Sequence, residues 1–321
     1  MKKLSKESVT WSEVGEEDAG QRIDNYLIRR LKGVPKSHVY RILRSGEVRV
    51  NSGRIGPDYR VAAGDKVRLP PVRVAQRAPA AAPLARKLDV DILYEDDALL
   101  VINKPSGMAV HGGSGISLGA IELLRQSRPH APFLELVHRL DRDTSGVLML
   151  AKKRAALVAL HAQLRDGEVR KYYDVLVHGR WRDEMRNVRL ALQKHVLKSG
   201  ERRVSVADGG VASHTVFRLK RKLAEFSLLE AELKTGRTHQ IRVHLSHIGF
   251  PIAGDDKYGD FALNKELVKR GLKRMFLHAA RTIVRHPLSG VSLTFEAPLP
   301  DELSSFVERI AALAQSHAET I

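Results

Sequence analysis

Residues 137–153 read VHRLDRDTSGVLMLAKK. The stretch from Leu136 to Leu140 alternates as a strand does, then runs into the polar turn DRDTSG. Two carboxylates, two arginines, a histidine, a threonine and a serine crowd that junction. Asp, Ser and Gly also fill ordinary turns, because their short side chains hydrogen-bond the local backbone. An arginine beside a carboxylate at a strand end points instead to an ion pair facing a cleft. Arg139 and Asp141 are two residues apart, so both project from one face if the strand extends that far. On pattern alone both readings stand.

Outward from this segment, LLVINKP (99–105) reads as a buried strand, and 117–128 has helical spacing. Leu157, Leu160, His161 and Leu164 mark a helix closed by Gly167. YYDVLV (172–177), HTVFRL (214–219) and FSLLEAEL (226–233) read as strands. Thr238 is placed to cap a helix with Ile241, Leu245 and Ile248 on its apolar face. Leu303, Phe306, Val307, Ile310 and Leu313 give the last helix. Strands outnumber helices without regular alternation, which predicts an α+β fold with a mixed, largely antiparallel sheet. The glycine-rich HGGSG (111–115) lacks the spacing of a phosphate-binding loop and reads as a mobile loop.

Upstream the organisation changes. Residues 1–20 are polar and read as a flexible N-terminus. Residues 21–70 read as a small helix–helix–strand α/β module, with Ile23, Tyr26, Leu27 and Leu31 on one apolar face and Val39, Ile42 and Leu43 on the next. Lys36, Arg41, Arg44 and Arg49 put positive charge on that second helix and the strand after it, as phosphate contacts would require. A solvated helix face has the same composition. Residues 71–88 (PVRVAQRAPAAAPLARKL) read as a semi-stiff linker, and residues 89–321 form the larger domain.

The whole chain has 321 residues, with 54 Lys and Arg against 37 Asp and Glu, a formal net charge of +17. Such an excess attracts polyanions: nucleic acid, an acidic membrane surface or an acidic protein. Cysteine is absent, which removes disulfides, thiolate nucleophiles and cysteine metal sites. No signal peptide and no run of the roughly 20 apolar residues needed to span a bilayer is present, so a soluble, cytoplasmic protein is expected.

HRLDRDTSG resembles the catalytic motif of the RluA family of pseudouridine synthases, and three further strings match that family in order. They are NKPSGMAVHGG (103–113), RKYYDVLVHG (170–179) and TGRTHQIRVHLSHIGFPIAGDDKYGD (235–260), with LHAAR (277–281) also fitting. RIDNYLIRRLKGVPKSHVYRILRSGEVRVN, followed by the Gly64–Asp65 turn, resembles an S4 RNA-binding domain. The resemblance implies a pseudouridine-synthase fold with a central cleft, and RNA contact through the two-helix surface. It places the reacting carboxylate on Asp141 rather than Asp143, the active-site tyrosine on Tyr173 and the basic partner on Arg242, with Arg139 filling the space a flipped base leaves. It implies a monomer that needs no cofactor and acts on 23S rRNA or a large-subunit precursor, at several uridines around the peptidyl-transferase centre. A related specificity for other rRNA or tRNA uridines is the alternative.

These residue types suit that chemistry. Moving C1′ from N1 to C5 of the same uracil is an isomerisation, with nothing oxidised or reduced. An ionised aspartate would attack C1′ or take the 2′ proton. Arg242 would pair with Asp141 and favour its charged form. Tyr173 would stack on the base and offer its hydroxyl. Three rivals are weighed on the residues, and the sequence argues against the first and the last. One is a metal hydrolase built on His239, His244 and His247, which lacks HExxH. Another is a non-enzymatic RNA clamp. The last, a serine hydrolase on Ser145, lacks the GxSxG elbow. No metal is expected.

Overall fold

The computed structural model describes residues 8–31, 33–72, 90–112, 118–197 and 200–318. Residues 73–88 of the expected linker and most of the glycine-rich loop lie outside these described residues, while Val72 is buried with the first unit. The chain divides into two compact units, Met1–Arg86 and Lys87–Ile321.

In the first unit β1 (Thr10–Glu13) precedes α1 (Ile23–Arg30), α2 (Lys36–Arg44), β2 (Arg49–Val50), β3 (Gly53–Arg54) and β4 (Lys66–Leu69). The sheet order is β1-β4-β2-β3. Both helices lay their apolar stripes on it, burying Ile23, Leu27, Val39, Ile42 and Leu43 against Val48 and Val67. Asn51 and Ser52 turn the β2–β3 hairpin with φ of 48° and 69°, the left-handed pair that a tight hairpin needs. The flexible N-terminus expected over 1–20 is corrected from Thr10 onward. Thr10–Glu13 pairs antiparallel with β4, Val14 is buried, and the buried Asp18 carboxylate accepts from Gln21, Arg29 and Arg30. The segment reads as loose because TWSE holds one large apolar residue, Trp11, which is exposed, and no apolar alternation. Arg29 and Arg30 are thereby tied down, as is Arg22 on Asp24 at 2.8 Å.

The second unit runs β5 (Ile92–Glu95), β6 (Leu99–Lys104), α3 (Ala120–Ser127), β7 (Glu135–Leu136), β8 (Ser145–Ala151), α4 (Arg154–Arg165) and β9 (Arg170–His178). It continues through β10 (Met185–Val196), β11 (Arg202–Val206), β12 (Val211–Leu223), β13 (Phe226–Leu233), α5 (Gln240–His247) and α6 (Phe261–Lys269). It closes with β14 (Leu277–Arg285), β15 (Ser292–Glu296) and α7 (Asp301–Ala318). One sheet takes the order β11-β10-β12-β13-β9-β14-β8-β6-β5, with β15 beside β14 and β7 beside β8. Among the described residues every strand pairing in it is antiparallel except β14 with β8.

Helices cover both faces, so the central strands are largely buried; in β8 all of SGVLMLA is buried. Alternation divides their side chains. Leu100, Ile102, Leu148, Leu150, Tyr173 and Val175 pack with α3 and α5 on one face. Leu99, Val101, Val147 and Met149 pack with α4 on the other, where Leu176 meets α6 and α7. Tyr173 therefore stands on the α5 side, and Lys171, two residues earlier, shares that face.

The sequence places a strand at Leu136–Leu140, and the structure corrects this. Pairing ends at Leu136, and 137–144 is an irregular turn that precedes the buried strand β8. Its polar side chains are incompatible with the two-sided burial of the sheet interior. Gly146 sits just inside β8 with φ 110°, opposite Ala279 in the parallel pairing. A Cβ there would stand 2.2 Å from the Ala279 carbonyl oxygen. Gly146→Ala combines left-handed strain with a backbone clash, and should cost about 3 kcal/mol or more. Urea unfolding of the full chain checks this, and an unchanged midpoint would contradict it.

Candidate active site

The turn 137–144, the sheet face at β9 and β13, and the start of α5 enclose a cleft of about 390 Å³. Its lining includes Arg139, Asp141, Lys171, Tyr173, Arg237, His239 and Arg242. Three residues far apart in sequence, Asp141, Tyr173 and Arg242, thus face one space. Arg139 also lines the cleft and is exposed, but it reaches it from the turn and not from a strand face shared with Asp141. Asp143 is absent from the lining and accepts from its exposed neighbour Arg142 at 3.1 Å.

The turn is gripped from behind. The Thr144 N–H donates to the Asp141 carbonyl at 3.2 Å, which closes it. The Arg142 carbonyl accepts from the Lys104 ammonium, and the Asp143 carbonyl accepts from Ser106 and Arg274. Lys104 is fully buried and also donates to the carbonyls of Pro105 and Met108. Burial pushes its ammonium down to about 7, and the nearby Arg274 charge acts the same way. Three carbonyl acceptors match the three protons of the charged form. Ser145 and His278 are hydrogen-bonded at 2.8 Å, but both are buried and outside the cleft lining. They brace the turn, with Arg274 donating to the Ser145 hydroxyl at 2.7 Å.

Arg242 occupies the third position of α5 and is buried. Its main partner is a residue that the motifs do not single out. Nε and Nη2 each donate to Asp255 at 2.7 Å, a bidentate pair. Nη1 remains for Asp141, at 3.4 Å from Oδ2. Burial alone would raise the Asp255 carboxyl. The Arg242 hydrogen bond and charge, with the backbone N–H groups of Tyr258 and Lys257, outweigh it and hold the group below the usual carboxylate range. Burial likewise opposes the Arg242 charge, but Asp255 and Asp141 keep it firmly protonated. The Arg242 guanidinium lies 5.2 Å from the Tyr258 ring centre, a cation–π contact. Tyr173 is 7% exposed; burial pushes its phenol up, and the Asp141 charge adds to that.

Two local readings change. Thr238 does not cap α5: His239 stands at the cap with φ 52°, while the Gln240 side chain accepts from the Arg237 N–H. The three histidines of the metal reading also separate. His239 lines the cleft, His244 is buried against Ser213 at 2.7 Å, and His247 is exposed. Among the described residues no group of three or more His, Asp or Glu is placed to hold a metal ion. In the first unit, Lys36, Arg41, Arg44 and Arg49 are all exposed. Arg41 reaches Glu47 at 3.7 Å.

The comparisons with known proteins agree with this architecture. Residues 98–247 match the RNA pseudouridylate synthase family model, and residues 21–67 match the S4 domain. The second unit has the fold of a pseudouridylate synthase: the chain is similar to human RNA pseudouridylate synthase domain containing 4, with TM-score 0.55 and 26% identity over 68% of this chain and 92% of that one. It is 52% identical over 309 residues to the ribosomal large subunit pseudouridine synthase C of Pasteurella multocida, covering 95% of each chain. The Escherichia coli K12 protein of the same name is 53% identical over 301 residues, covering 92% of this chain and 94% of that one. The chain belongs to the RNA pseudouridylate synthase family.

Lys104 offers a direct test of how the turn is held. Lys104→Met fills the same space but leaves three carbonyls without their donor. It should cost about 2–4 kcal/mol in urea unfolding and lower turnover as the Asp141 turn loosens. A midpoint equal to wild type would contradict this account.

Proposed function

We propose that this chain isomerises uridines of large-subunit ribosomal RNA to pseudouridine, with Asp141 as the reacting carboxylate. The observation that carries the reading is the meeting of Asp141, Tyr173 and Arg242 in one cleft, from the turn before β8, from β9 and from α5. The substrate class is supported by the relatives named as ribosomal large subunit pseudouridine synthase C.

In this reading the target uridine leaves its stack and enters the cleft, because its ribose cannot meet a carboxylate inside a helix. Arg139, exposed at the mouth, fills the space it vacates. The uracil stacks on Tyr173. Asp141 acts at the ribose, as nucleophile on C1′ or as base on the 2′ carbon, and the C1′–N1 bond breaks. The detached uracil turns, C1′–C5 forms, and the C5 proton leaves as N1 gains one. The balance is internal to the nucleotide, so no cofactor is called for. Arg242, held by Asp255, keeps a fixed positive charge beside Asp141 throughout.

The S4 unit supplies further RNA contact in this reading. Lys36, Arg41, Arg44 and Arg49 are exposed on α2 and β2, where they can meet phosphates. Replacing all four by Ala should weaken binding to the rRNA. It should also flatten the dependence of log affinity on log salt by about 0.7 for each single-strand phosphate that is no longer neutralised. An unchanged salt slope would show that this face does not touch RNA.

Asp141→Asn should lower turnover by about 10³-fold or more with the fold intact, since the loss is chemical. Asp143→Asn, whose carboxylate lies outside the cleft, should retain measurable turnover. Equal activity of the two variants on an rRNA transcript would overturn the assignment. Pseudouridine mapping of 23S rRNA from cells lacking the protein tests the substrate: specific sites should revert to uridine, and an unaltered map would contradict the reading.

A further inference from the structure

The cleft contains a second group aimed at Asp141. Arg242 has only one nitrogen free for that carboxylate, because its other two donors close on Asp255. A single donor on Oδ2 leaves the carboxylate free to rotate about its own axis. Fixing its plane needs a donor on the other oxygen, and His239 Nε2 lies 3.8 Å from Asp141 Oδ1.

Three features fix the imidazole at that position. His239 adopts a left-handed φ of 52°, a conformation that costs a side-chain-bearing residue energy and recurs where function requires it. The ring is packed edge-on to Tyr258, with centres 5.5 Å apart, and its Nδ1 lies 2.8 Å from the Tyr258 hydroxyl. That hydroxyl also accepts the Val204 N–H at 3.0 Å, which leaves its own proton available for His239 Nδ1. With the hydroxyl donating to Nδ1, the ring proton sits on Nε2, the atom facing Asp141. Burial raises the Tyr258 phenol, which keeps it a donor, and burial lowers the His239 imidazole.

We propose that His239 is a positioning residue for Asp141: its Nε2–H holds Oδ1 while Arg242 holds Oδ2, and the two long contacts shorten when a nucleotide fills the cleft. The inference rests on Asp141 being the reacting carboxylate. Tyr258 and the Val204 N–H act through His239 by fixing its tautomer. Catalytic contacts that are long in the free enzyme and tighten in the complex are common. The protein as a whole supplies the chain Val204, Tyr258, His239, Asp141, with β11 as its fixed end.

The test uses the full-length protein and an rRNA transcript as substrate. His239→Ala should lower kcat by on the order of 10²-fold, the scale of a misplaced reacting group, with KM changed by less than about threefold. His239→Gln should recover much of that loss, since its amide nitrogen reaches the place of Nε2. Tyr258→Phe should lower kcat less than His239→Ala, and the double variant should be no worse than His239→Ala alone. Nitrogen-15 spectra of the wild-type imidazoles should show His239 as the Nε2–H tautomer, a readout that does not depend on any variant folding. The proposal is overturned if His239 carries its proton on Nδ1, if His239→Ala keeps wild-type kcat, or if its loss lies in KM. Asp141→Asn measured alongside separates the two levels. If it loses turnover while His239→Ala does not, only the positioning role fails; if it remains active, the reading of the site itself fails.

Discussion

The buried pair between Arg242 and Asp255 is the constraint on which the cleft depends. Arg242 is 4% exposed and Asp255 has no exposure. Neither charge is tolerable there without the other, and removing one partner of such a pair typically costs about 3–5 kcal/mol. Mutual attraction in a poorly solvated site fixes the guanidinium plane, because the bidentate geometry allows one orientation. That orientation leaves Nη1 pointing at Asp141. Two backbone N–H groups on Asp255, from Lys257 and Tyr258, tie the loop after α5 to the same carboxylate. One ion pair thus sets the position of the helix start, of the loop that carries Tyr258, and of the positive charge beside Asp141.

The opposite wall of the cleft is fixed by other means. The turn carrying Asp141 cannot join the sheet, because strands on both sides of it are buried on two faces. It is held by donors placed behind it, Lys104, Ser106 and Arg274, which satisfy its carbonyls. Gly146 then lets β8 approach β14 in the only parallel pairing among the described residues. A rigid turn and a rigid guanidinium meet across the cleft at 3.4 Å, a contact longer than the 2.7 Å pair that supports it. The weaker contact is the one facing the substrate space, as expected where a reacting group must exchange partners.

The sequence was informative where pattern and packing coincide. FSLLEAEL is a strand over the whole range its composition marks, and the last helix buries Leu303, Phe306, Val307 and Ile310 as spaced, whereas Leu313 is exposed. Asp141, Tyr173 and Arg242 were legible through motif resemblance, and they do converge on one cleft. Other parts were not legible, for physical reasons. Asp255 and Asp256 are adjacent, and nothing in the string GDDKYGD marks which one turns inward. His239 depends on a left-handed backbone that no residue type announces, and Thr238 offered a plausible cap in its place. Thr10–Glu13 lacks apolar alternation, so its strand emerges only through pairing with β4. The Arg139–Asp141 spacing suggested a shared strand face, whereas both residues reach the cleft from an irregular turn.

In the proposed reading, Asp255 acts on the chemistry through Arg242, the guanidinium that it orients. The most direct measurement is the steady-state kinetics of Asp255→Asn on an rRNA transcript, with folding checked by circular dichroism. Asparagine keeps the shape but removes the charge that orients the guanidinium. The account predicts a kcat lowered by on the order of 10²-fold with KM nearly unchanged. A folded Asp255→Asn protein turning over at the wild-type rate would contradict it.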